Sequence, residues 1–250
     1  MILCITSGKG GVGKTTITAS LGIALARRGR RTLIIDTDIE MANLSLVMGM
    51  DEPSVTLHEV LKGEAEIGEA VYAHSSGVLV LPAGISLERL KDVSHDRLKE
   101  VFLSIPEMCD IALVDTPSGL GKATLASLCF STSIMLITNS EISAVADALK
   151  VLKASSKLET AVLGFVLNRY KENSSFASRE VLERAFELPC LGVVPDDDRV
   201  RLSTANGKPF ILQYPGIHAS RVLESIAAKV LGEEESISKE EKALRHKEVA

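Results

Sequence analysis

The stretch GKGGVGKT, from Gly8 to Thr15, decides the fold. It follows a short apolar run, Ile2 to Thr6, and precedes an amphipathic segment, Lys14 to Arg27, so it joins a predicted strand to a predicted helix. It matches the pattern GxxxxGK followed by Ser or Thr, and a phosphate-binding loop requires this strand and helix context. The sequence therefore predicts a P-loop, Gly8 to Thr15, within an α/β fold.

The residue types of the P-loop suit a nucleoside triphosphate. Its glycines let the backbone curl with N–H groups pointing inward at phosphate oxygens, and the following helix adds the positive end of its dipole. Lys14 would reach the β and γ phosphates, the Thr15 hydroxyl would bind Mg²⁺, and Thr16 would contact the α phosphate. The nucleotide-binding residues predicted in this segment are Gly8, Lys9, Gly10, Gly11, Val12, Gly13, Lys14, Thr15 and Thr16.

Apolar, often β-branched runs alternate with amphipathic segments as far as Leu231, an order typical of βαβ units. The predicted strands are Ile2–Thr6, Thr32–Asp36, Val78–Pro82, Ile111–Asp115, Ser133–Thr138, Val162–Leu167 and Cys190–Val194. The predicted helices include Lys14–Arg27, Leu98–Ser104, Ser143–Lys157, Ser178–Phe186 and Ser220–Leu231. Because most of the strands are apolar throughout, we expect one doubly wound domain over residues 1–232, with a mostly parallel sheet flanked by helices on both faces.

Composition narrows the class of protein. With 250 residues, 46% of them hydrophobic and none of them Trp, the chain suffices for one large domain with an aliphatic core. The net charge of −5 argues against nucleic acid as a partner, since duplex binding depends on clustered Lys and Arg. The four cysteines form no CxxC pair and are expected to be core residues in the reducing cytoplasm. No apolar run is long enough to span a bilayer.

The composition changes after Gly232. The segment EEESISKEEKALRHKEVA, residues 233–250, has six acidic and four Lys or Arg residues and few large apolar ones. This predicts a charged C-terminal tail that is either a solvated helix or a frayed end. Its Glu residues would be repelled by anionic lipid, so the tail gives only weak support for membrane anchoring.

The P-loop is more specific than the general pattern, because Lys9 stands directly after its first glycine. It resembles the deviant Walker A loop of the MinD/ParA family of dimeric ATPases. The resemblance implies that Lys9 reaches across a two-fold sandwich and contacts phosphates bound in the partner subunit. It therefore implies a homodimer that forms with ATP.

The stretch IIDTDIEMANLSLVMG, from Ile34 to Gly49, resembles the switch I segment of that family. The resemblance implies that Asp38 orients or activates the water that attacks the γ phosphate, a role that suits a strand-end carboxylate. It implies that Asp36 lies deeper and supports the metal shell or Lys14. The catalytic residues predicted in this way are Lys9, Lys14 and Asp38.

Two later segments extend the resemblance. The run IALVDTPSGLG, residues 111–121, resembles Walker B and switch II, which implies that Asp115 holds Mg²⁺ through water and that the Gly119 backbone senses the γ phosphate. The run LITNSEISAVADALK, residues 136–150, resembles the stretch that follows switch II and implies a helix near Ser143 at the dimer or partner surface. The predicted metal-binding residues are Thr15, Asp36 and Asp115.

The segments VLNRY, residues 166–170, and GVVPDDDRVRLSTANGKPF, residues 192–210, both follow strands and resemble the base-binding part of the family. The base-site residues implied are Asn168, Arg169, Pro195 and Asp196. A side-chain amide has both a donor and an acceptor, so Asn168 can match adenine and reject guanine. Because the chain has no NKxD-type guanine signature, ATP is predicted rather than GTP.

Within the family, the segments NLSLVMG and PDDDRVRLSTANGKPF fit the MinD-type branch best. This implies an ATP-hydrolysing switch, slow until a protein activator stimulates it, that regulates cell division or positioning in the cytoplasm or at the inner face of the cell membrane. The alternatives are a ParA-type partition ATPase, which the acidic charge does not favour, and an iron–sulfur-carrier ATPase, for which Cys129 lacks a CxxC companion. A nucleotide-gated binding module and a metabolic kinase are further alternatives.

Overall fold

The strands of this computed structural model form one sheet, and the residues described are 1–84, 97–171 and 177–233. The strands are β1 (Ile2–Thr6), β2 (Thr32–Asp36), β3 (Tyr72–Ala73), β4 (Leu79–Leu81), β5 (Ile111–Asp115), β6 (Ser133–Thr138), β7 (Val162–Tyr170) and β8 (Cys190–Pro195). Their order in the sheet is β3-β4-β2-β5-β1-β6-β7-β8. All neighbouring strands are parallel except β3, which pairs antiparallel with β4 at the edge. The predicted doubly wound, mostly parallel sheet is confirmed.

Helices cover both faces of this sheet. They are α1 (Lys14–Arg27), α2 (Leu44–Met48), α3 (Leu57–Lys62), α4 (Leu98–Met108), α5 (Lys122–Phe130), α6 (Ile142–Lys157), α7 (Arg179–Phe186), α8 (Asp198–Ala205), α9 (Phe210–Gln213) and α10 (His218–Val230), with a 3₁₀ helix at Ile67–Ala70. Successive residues of a strand point to opposite faces. On β2, Ile34 packs in one core cluster with residues of α1 and α10, whereas Leu33 and Ile35 pack in another with residues of α3 and α4.

The structure differs from the sequence-based expectation at the ends of several elements and at one cysteine. Strand β7, for example, continues past Leu167 to Tyr170. Helix α4 continues past Ser104 through Pro106, because Leu98, Val101, Phe102 and Ile105 present one buried apolar stripe and its burial outweighs the missing proline N–H. The cysteines were expected to be core residues, and three of them are buried, but Cys129 is exposed on α5, so the prediction was wrong for that residue.

Strand order places the P-loop at the centre of one edge of the sheet. Strand β1 lies between β5 and β6. The chain builds β2 to β5 on one side of β1 and then crosses to β6, β7 and β8 on the other side, which makes this a topological switch point. Asp36 at the end of β2 and Asp115 at the end of β5 are partners in the β2–β5 register. The carboxyl ends of these strands therefore bring both predicted acidic residues next to the P-loop.

The sequence predicted no membrane-spanning segment and a charged C-terminal tail. Among the described helices, none combines the length and hydropathy that crossing a membrane requires. The predicted charged tail, residues 233–250, lies outside the described residues except for Glu233, so the domain boundary at Gly232 stays a prediction.

Candidate functional site

The backbone of the P-loop can be built only with glycine at its tightest point. Gly11 and Gly13 have φ angles of 76° and 92°, in the left-handed region. A Cβ atom on Gly13 would lie 2.4 Å from Nδ2 of Asn168. Gly13 is also the N-cap of α1, where no side chain caps the helix and no acidic residue lies in the first turn. The first-turn N–H groups of this helix thus suit an anion.

Replacing Gly13 with alanine is expected to destabilise the protein and weaken ATP binding, whereas Gly29→Ala should only destabilise it. Gly29 has a φ of 78° but open space within 4 Å, so its variant meets only the backbone strain, about 1–2 kcal/mol. Gly13→Ala also displaces Asn168, which adds about 1–3 kcal/mol. Urea unfolding and ATP titration of both variants check this. Equal destabilisation with unchanged ATP affinity in both would contradict the assignment of Gly13.

A buried cluster of polar side chains lies beneath the P-loop. The Thr15 hydroxyl donates to Oδ2 of Asp115 at 2.6 Å, and Lys14 Nζ lies 3.5 Å from Oδ1 of the same carboxylate. The Thr18 hydroxyl lies 3.2 Å from that Oδ1 as well. Asp115 and Lys14 are both buried, with exposures of 1% and 7%. Two residues of the loop and the predicted Walker B carboxylate therefore converge, as the sequence predicted.

Asp36 holds the predicted switch I segment, residues 34–49, in place. Its carboxylate accepts hydrogen bonds from the backbone N–H groups of Asp38, Asn43 and Leu44, at 3.0, 3.3 and 3.1 Å. Burial raises the pKa of Asp36 to about 7, the negative charge of Asp115 acts in the same direction, and the N–H groups of Leu44 and Asp38 act against both. The sequence predicted a place for Asp36 near the metal shell, but it gave no sign of these three bonds.

The oxygen atoms in this cluster fit Mg²⁺. This ion prefers oxygen ligands, and in nucleotide sites one or two carboxylates with phosphates and waters suffice. The Thr15 hydroxyl and the Asp115 carboxylate are such ligands, and Asp36 lies beside Asp115 in the sheet register. Within the described part of the chain, no three His, Cys, Asp or Glu side chains form a metal cluster. A metal here would share its coordination with phosphate oxygens.

Asp38 and Gly119 lie on loops at the same edge of the sheet. The Asp38 side chain is half-buried, and its Oδ1 accepts from the Met41 N–H at 3.1 Å. Burial raises the pKa of Asp38, while the hydrogen bond from Met41 and the charge of Lys14 oppose the rise. Gly119, with a φ of 80°, donates its N–H to the Ser7 carbonyl at 3.1 Å, next to the P-loop. Both residues are therefore near the place where phosphate would bind.

Lys9 is held within its own chain. Its ammonium contacts the Glu141 carboxylate and lies 2.9 Å from the Ser143 hydroxyl, while Asn139 Nδ2 donates to Glu141 at 3.0 Å. The hydrogen bond and the charge of Lys9 lower the pKa of Glu141. The lysine and the glutamate are both solvent-accessible, and such surface pairs are worth at most about 1 kcal/mol. The contact can therefore be exchanged for another at little cost.

The predicted base-site residues line one cavity of about 280 Å³, next to the P-loop. Its lining includes Gly13, Thr16, Asn168, Arg169, Pro195 and Asp196, together with Val200, Arg201, Thr204 and Ala205 of α8. The Asn168 side chain donates to the Val12 carbonyl at 2.7 Å, which leaves its amide oxygen for another partner. The structure thus brings these residues together around a space that opens beside the first turn of α1.

Charged groups fix the mouth of this cavity. Asp196 forms ion pairs with Lys171 Nζ at 2.9 Å and Arg201 Nη1 at 3.0 Å. Burial raises the pKa of Asp196, but the hydrogen bond from Lys171 and the charge of Arg201 outweigh it, so the pKa lies below its usual value. The sequence analysis named Asp196 but missed Arg201, which stands one helical turn into α8 within the segment that carried the resemblance.

Comparison with known protein families gives one domain-level match. A family described as the CobQ/CobB/MinD/ParA nucleotide binding domain matches residues 3–210. An uncharacterised ATP-binding protein of Methanocaldococcus jannaschii is 41% identical over 230 residues, which span 92% of this chain and 87% of that protein. The family match over residues 3–210 includes the P-loop, both acidic strand ends and the residues that line the cavity beside α1.

Many solved structures share this fold, among them two proteins that match along most of their length. The cell division ATPase MinD of Pyrococcus furiosus superposes with a TM-score of 0.89 at 39% identity, covering 92% of this chain and 98% of that one. The septum site-determining protein MinD of Pyrococcus horikoshii, solved as a complex with Mg-ADP, superposes with a TM-score of 0.88 at 36% identity, covering 92% and 95%.

Proposed function

The chain belongs to the CobQ/CobB/MinD/ParA nucleotide-binding family, and from this membership we propose that it is a MinD-type switch that dimerises with ATP. It is an ATPase of the MinD/ParA type, and its ligands are ATP and Mg²⁺. The resemblance on which the sequence analysis relied is confirmed. The further steps, namely the roles of single residues, dimerisation and the process regulated, are our proposals.

We infer that the P-loop binds the phosphates through its backbone N–H groups and Lys14. The contact of Thr15 with Asp115 at the foot of this loop is the observation that carries the assignment. The proposed nucleotide site comprises Gly8, Lys9, Gly10, Gly11, Val12, Gly13, Lys14, Thr15, Thr16, Gly119, Asn168, Arg169, Pro195 and Asp196. Thr15, Asp36 and Asp115 are proposed to hold Mg²⁺, directly or through water, and the ion would neutralise charge on the β and γ phosphates.

In the proposed reaction, Asp38 orients the attacking water. Its carboxylate is half-buried and fixed by the Met41 N–H, at the same edge of the sheet as Lys14. Lys14 and the inward N–H groups stabilise the charge that develops on the transferring phosphoryl group, because they are positioned before the reaction begins. This division of roles predicts that Lys14 is needed for binding and hydrolysis, whereas Asp38 is needed for hydrolysis alone.

Two features support the proposed dimer. Lys9 is engaged by solvent-accessible contacts with Glu141 and Ser143, which are weak enough to be exchanged for a phosphate of the partner subunit. Large apolar side chains are exposed at the carboxyl edge of the sheet, on both sides of the P-loop: Met41 at 70%, Leu120 at 38% and Ile142 at 67%. Interfaces bury such side chains. A second copy placed face to face would cover these side chains and bring its own Lys9 to the phosphates.

Light scattering during size exclusion tests the dimer. Asp38→Ala should run at twice the chain mass of 26.8 kDa with Mg-ATP and as a monomer with Mg-ADP, because blocked hydrolysis keeps the triphosphate in place. The double variant Asp38→Ala with Lys9→Ala should bind ATP but stay monomeric. If all forms are monomeric while nucleotide is demonstrably bound, the dimer proposal is wrong, although the ATPase assignment stands.

The relatives named for cell division and septum placement support a MinD-type regulator, and the overall charge of −5 does not favour the DNA-binding ParA-type alternative. We propose slow intrinsic turnover that a protein activator accelerates, since a switch must persist in its ATP state.

The proposed location is the cytoplasm, with the inner face of the cell membrane as a site of reversible association. Sedimentation with anionic vesicles in Mg-ATP and Mg-ADP distinguishes the two locations.

A further inference from the structure

A fully buried histidine contacts the switch I segment from the neighbouring helix. His58 lies in the first turn of α3, and its Nε2 is 3.1 Å from the carbonyl oxygen of Ile39. Its Nδ1 is 2.9 Å from the backbone nitrogen of Gly84, beyond the end of β4. Ile39 directly follows Asp38 in the chain. The imidazole therefore connects the residue after the proposed water-orienting carboxylate to a different part of the fold.

The two partners fix the hydrogen positions of this imidazole. The Gly84 N–H can only donate, so Nδ1 must accept, and the Ile39 carbonyl can only accept, so Nε2 must carry the hydrogen. His58 is thus in its neutral form with a single tautomer. The backbone groups of Gly84 and Ile39 therefore determine that Nε2 is the donor and Nδ1 the acceptor.

The element that carries His58 is firmly anchored. The Leu57 N–H donates to the Pro82 carbonyl at 2.8 Å, and Thr56 and Glu59 form a capping box at the start of α3. Ile39 itself packs in the same core cluster as Leu57. The imidazole is therefore attached to a rigid part of the structure, and its bond to Ile39 can define the position of a loop.

Asp38 is held from both sides by these contacts. Its own N–H is bound by Asp36 at 3.0 Å, and the carbonyl of the next residue is bound by His58 at 3.1 Å. We propose that His58 is a positioning residue for ATP hydrolysis, whose Nε2–H fixes the peptide after Asp38 and so the direction of the Asp38 carboxylate. This inference rests on the proposed role of Asp38 in orienting water.

The side chains of asparagine and glutamine can each replace one of the backbone hydrogen bonds that His58 makes with Gly84 and Ile39. In His58→Asn, the amide oxygen takes the place of Nδ1 and can accept from Gly84, but no donor reaches Ile39. In His58→Gln, the amide nitrogen reaches the place of Nε2 and can donate to Ile39. The first variant removes the contact with the switch I segment, and the second restores it.

A second histidine provides a matched control at the far end of the same segment. His74 Nε2 lies 3.0 Å from the carbonyl oxygen of Met48, and its Nδ1 receives the Ser76 N–H at 3.2 Å. His74→Asn therefore removes the same kind of bond from α2, ten residues from Asp38. If any loosening of the switch I segment impairs the reaction, both asparagine variants should behave alike.

Single-turnover hydrolysis of ATP, ATP affinity and thermal unfolding are measured for the full chain and each variant. We expect His58→Asn to slow hydrolysis about 10-fold to 100-fold, since a displacement near 1 Å at a reacting group can cost about 100-fold. ATP affinity should stay within about 2-fold, because the nucleotide contacts come from other elements. His58→Gln should recover most of the rate, and His74→Asn should keep nearly all of it.

Two results would overturn the inference: hydrolysis at the wild-type rate in His58→Asn, or equal losses in His58→Asn and His74→Asn. If His58→Asn does not fold, His58→Gln decides, because a slow rate in that folded variant is incompatible with the inference. Asp38→Ala in the same assay distinguishes a failure of the proposed role of Asp38 from a failure of the inferred role of His58. Full activity in Asp38→Ala refutes the proposed role of Asp38, whereas loss there with no effect at His58→Asn refutes the role of His58 alone.

Discussion

Replacing Lys14 with alanine should weaken ATP binding about 10-fold to 100-fold and reduce hydrolysis below detection. Lys14 is 7% exposed, and its ammonium lies 3.5 Å from Asp115, at the start of α1 where phosphate would bind. A charge-assisted hydrogen bond is worth about 1.5–3 kcal/mol, and removing one preorganised charge from a transition state costs about 100-fold to 1,000-fold in rate. Removing Lys14 causes both losses, in ATP binding and in transition-state stabilisation, so this variant should show the largest loss of ATPase activity of any single substitution.

Calorimetric titration of Mg-ATP into Lys14→Ala gives the affinity, and release of phosphate gives the rate. Lys9→Ala is the matched control, because it removes an ammonium from the same loop at an exposed position. That variant should bind ATP as a monomer with nearly unchanged affinity. Binding by Lys14→Ala within about 3-fold of wild type would show that Lys14 does not contact the phosphates.

Asp38→Ala should lower the rate of hydrolysis about 100-fold to 10,000-fold and leave ATP affinity nearly unchanged. A positioned carboxylate that orients or activates water contributes an effect of this size, and it contacts the reacting water and not the bound nucleotide. The carboxylate is half-buried beside the Met41 N–H, so its removal leaves the surrounding backbone bonds to Asp36 in place. Single-turnover measurements with saturating Mg-ATP check this.

Asp38→Asn keeps the shape of the side chain and removes only its negative charge. Its amide oxygen can still accept from Met41, but it lacks the negative charge, so this variant should be nearly as slow as Asp38→Ala. If Asp38→Ala hydrolyses ATP normally while Lys14→Ala does not bind it, the assignment of switch I is wrong. Restored activity in Asp38→Asn alone would mean that the carboxylate acts only through its bond to Met41.

Sequence pattern predicted the strands at the centre of the sheet to the residue. Strands β1, β2 and β5 are five-residue, mainly apolar runs that are buried throughout, and such runs have few alternatives once a P-loop follows the first of them. The two-residue strand β3, Tyr72–Ala73, could not be predicted, because it is too short to show a period and neither residue is buried. Helix α2 has five residues and is limited in the same way.

The site was predictable where one short motif determines its geometry. Lys14 and Thr15 are adjacent in the P-loop, and Asp115 ends a buried strand next to it, so their convergence follows from the motif and the strand order. The contact between Lys9 and Glu141 joins residues 132 positions apart and depends on how the loops after β1 and β6 meet. No local pattern in a single sequence encodes that distance.

The hydrogen bonds that Asp36 accepts also limit the length of the loop that joins their donors, Asp38 and Leu44. One carboxylate binds N–H groups at Asp38 and at Leu44, so the residues between those two points must close a loop of fixed span. An extra residue there can be accommodated only by bulging outward at the exposed Glu40 and Met41, whereas a deletion would pull one end off the carboxylate. Insertions at this loop should therefore be tolerated by folding more readily than deletions, and neither should preserve the direction of the Asp38 side chain.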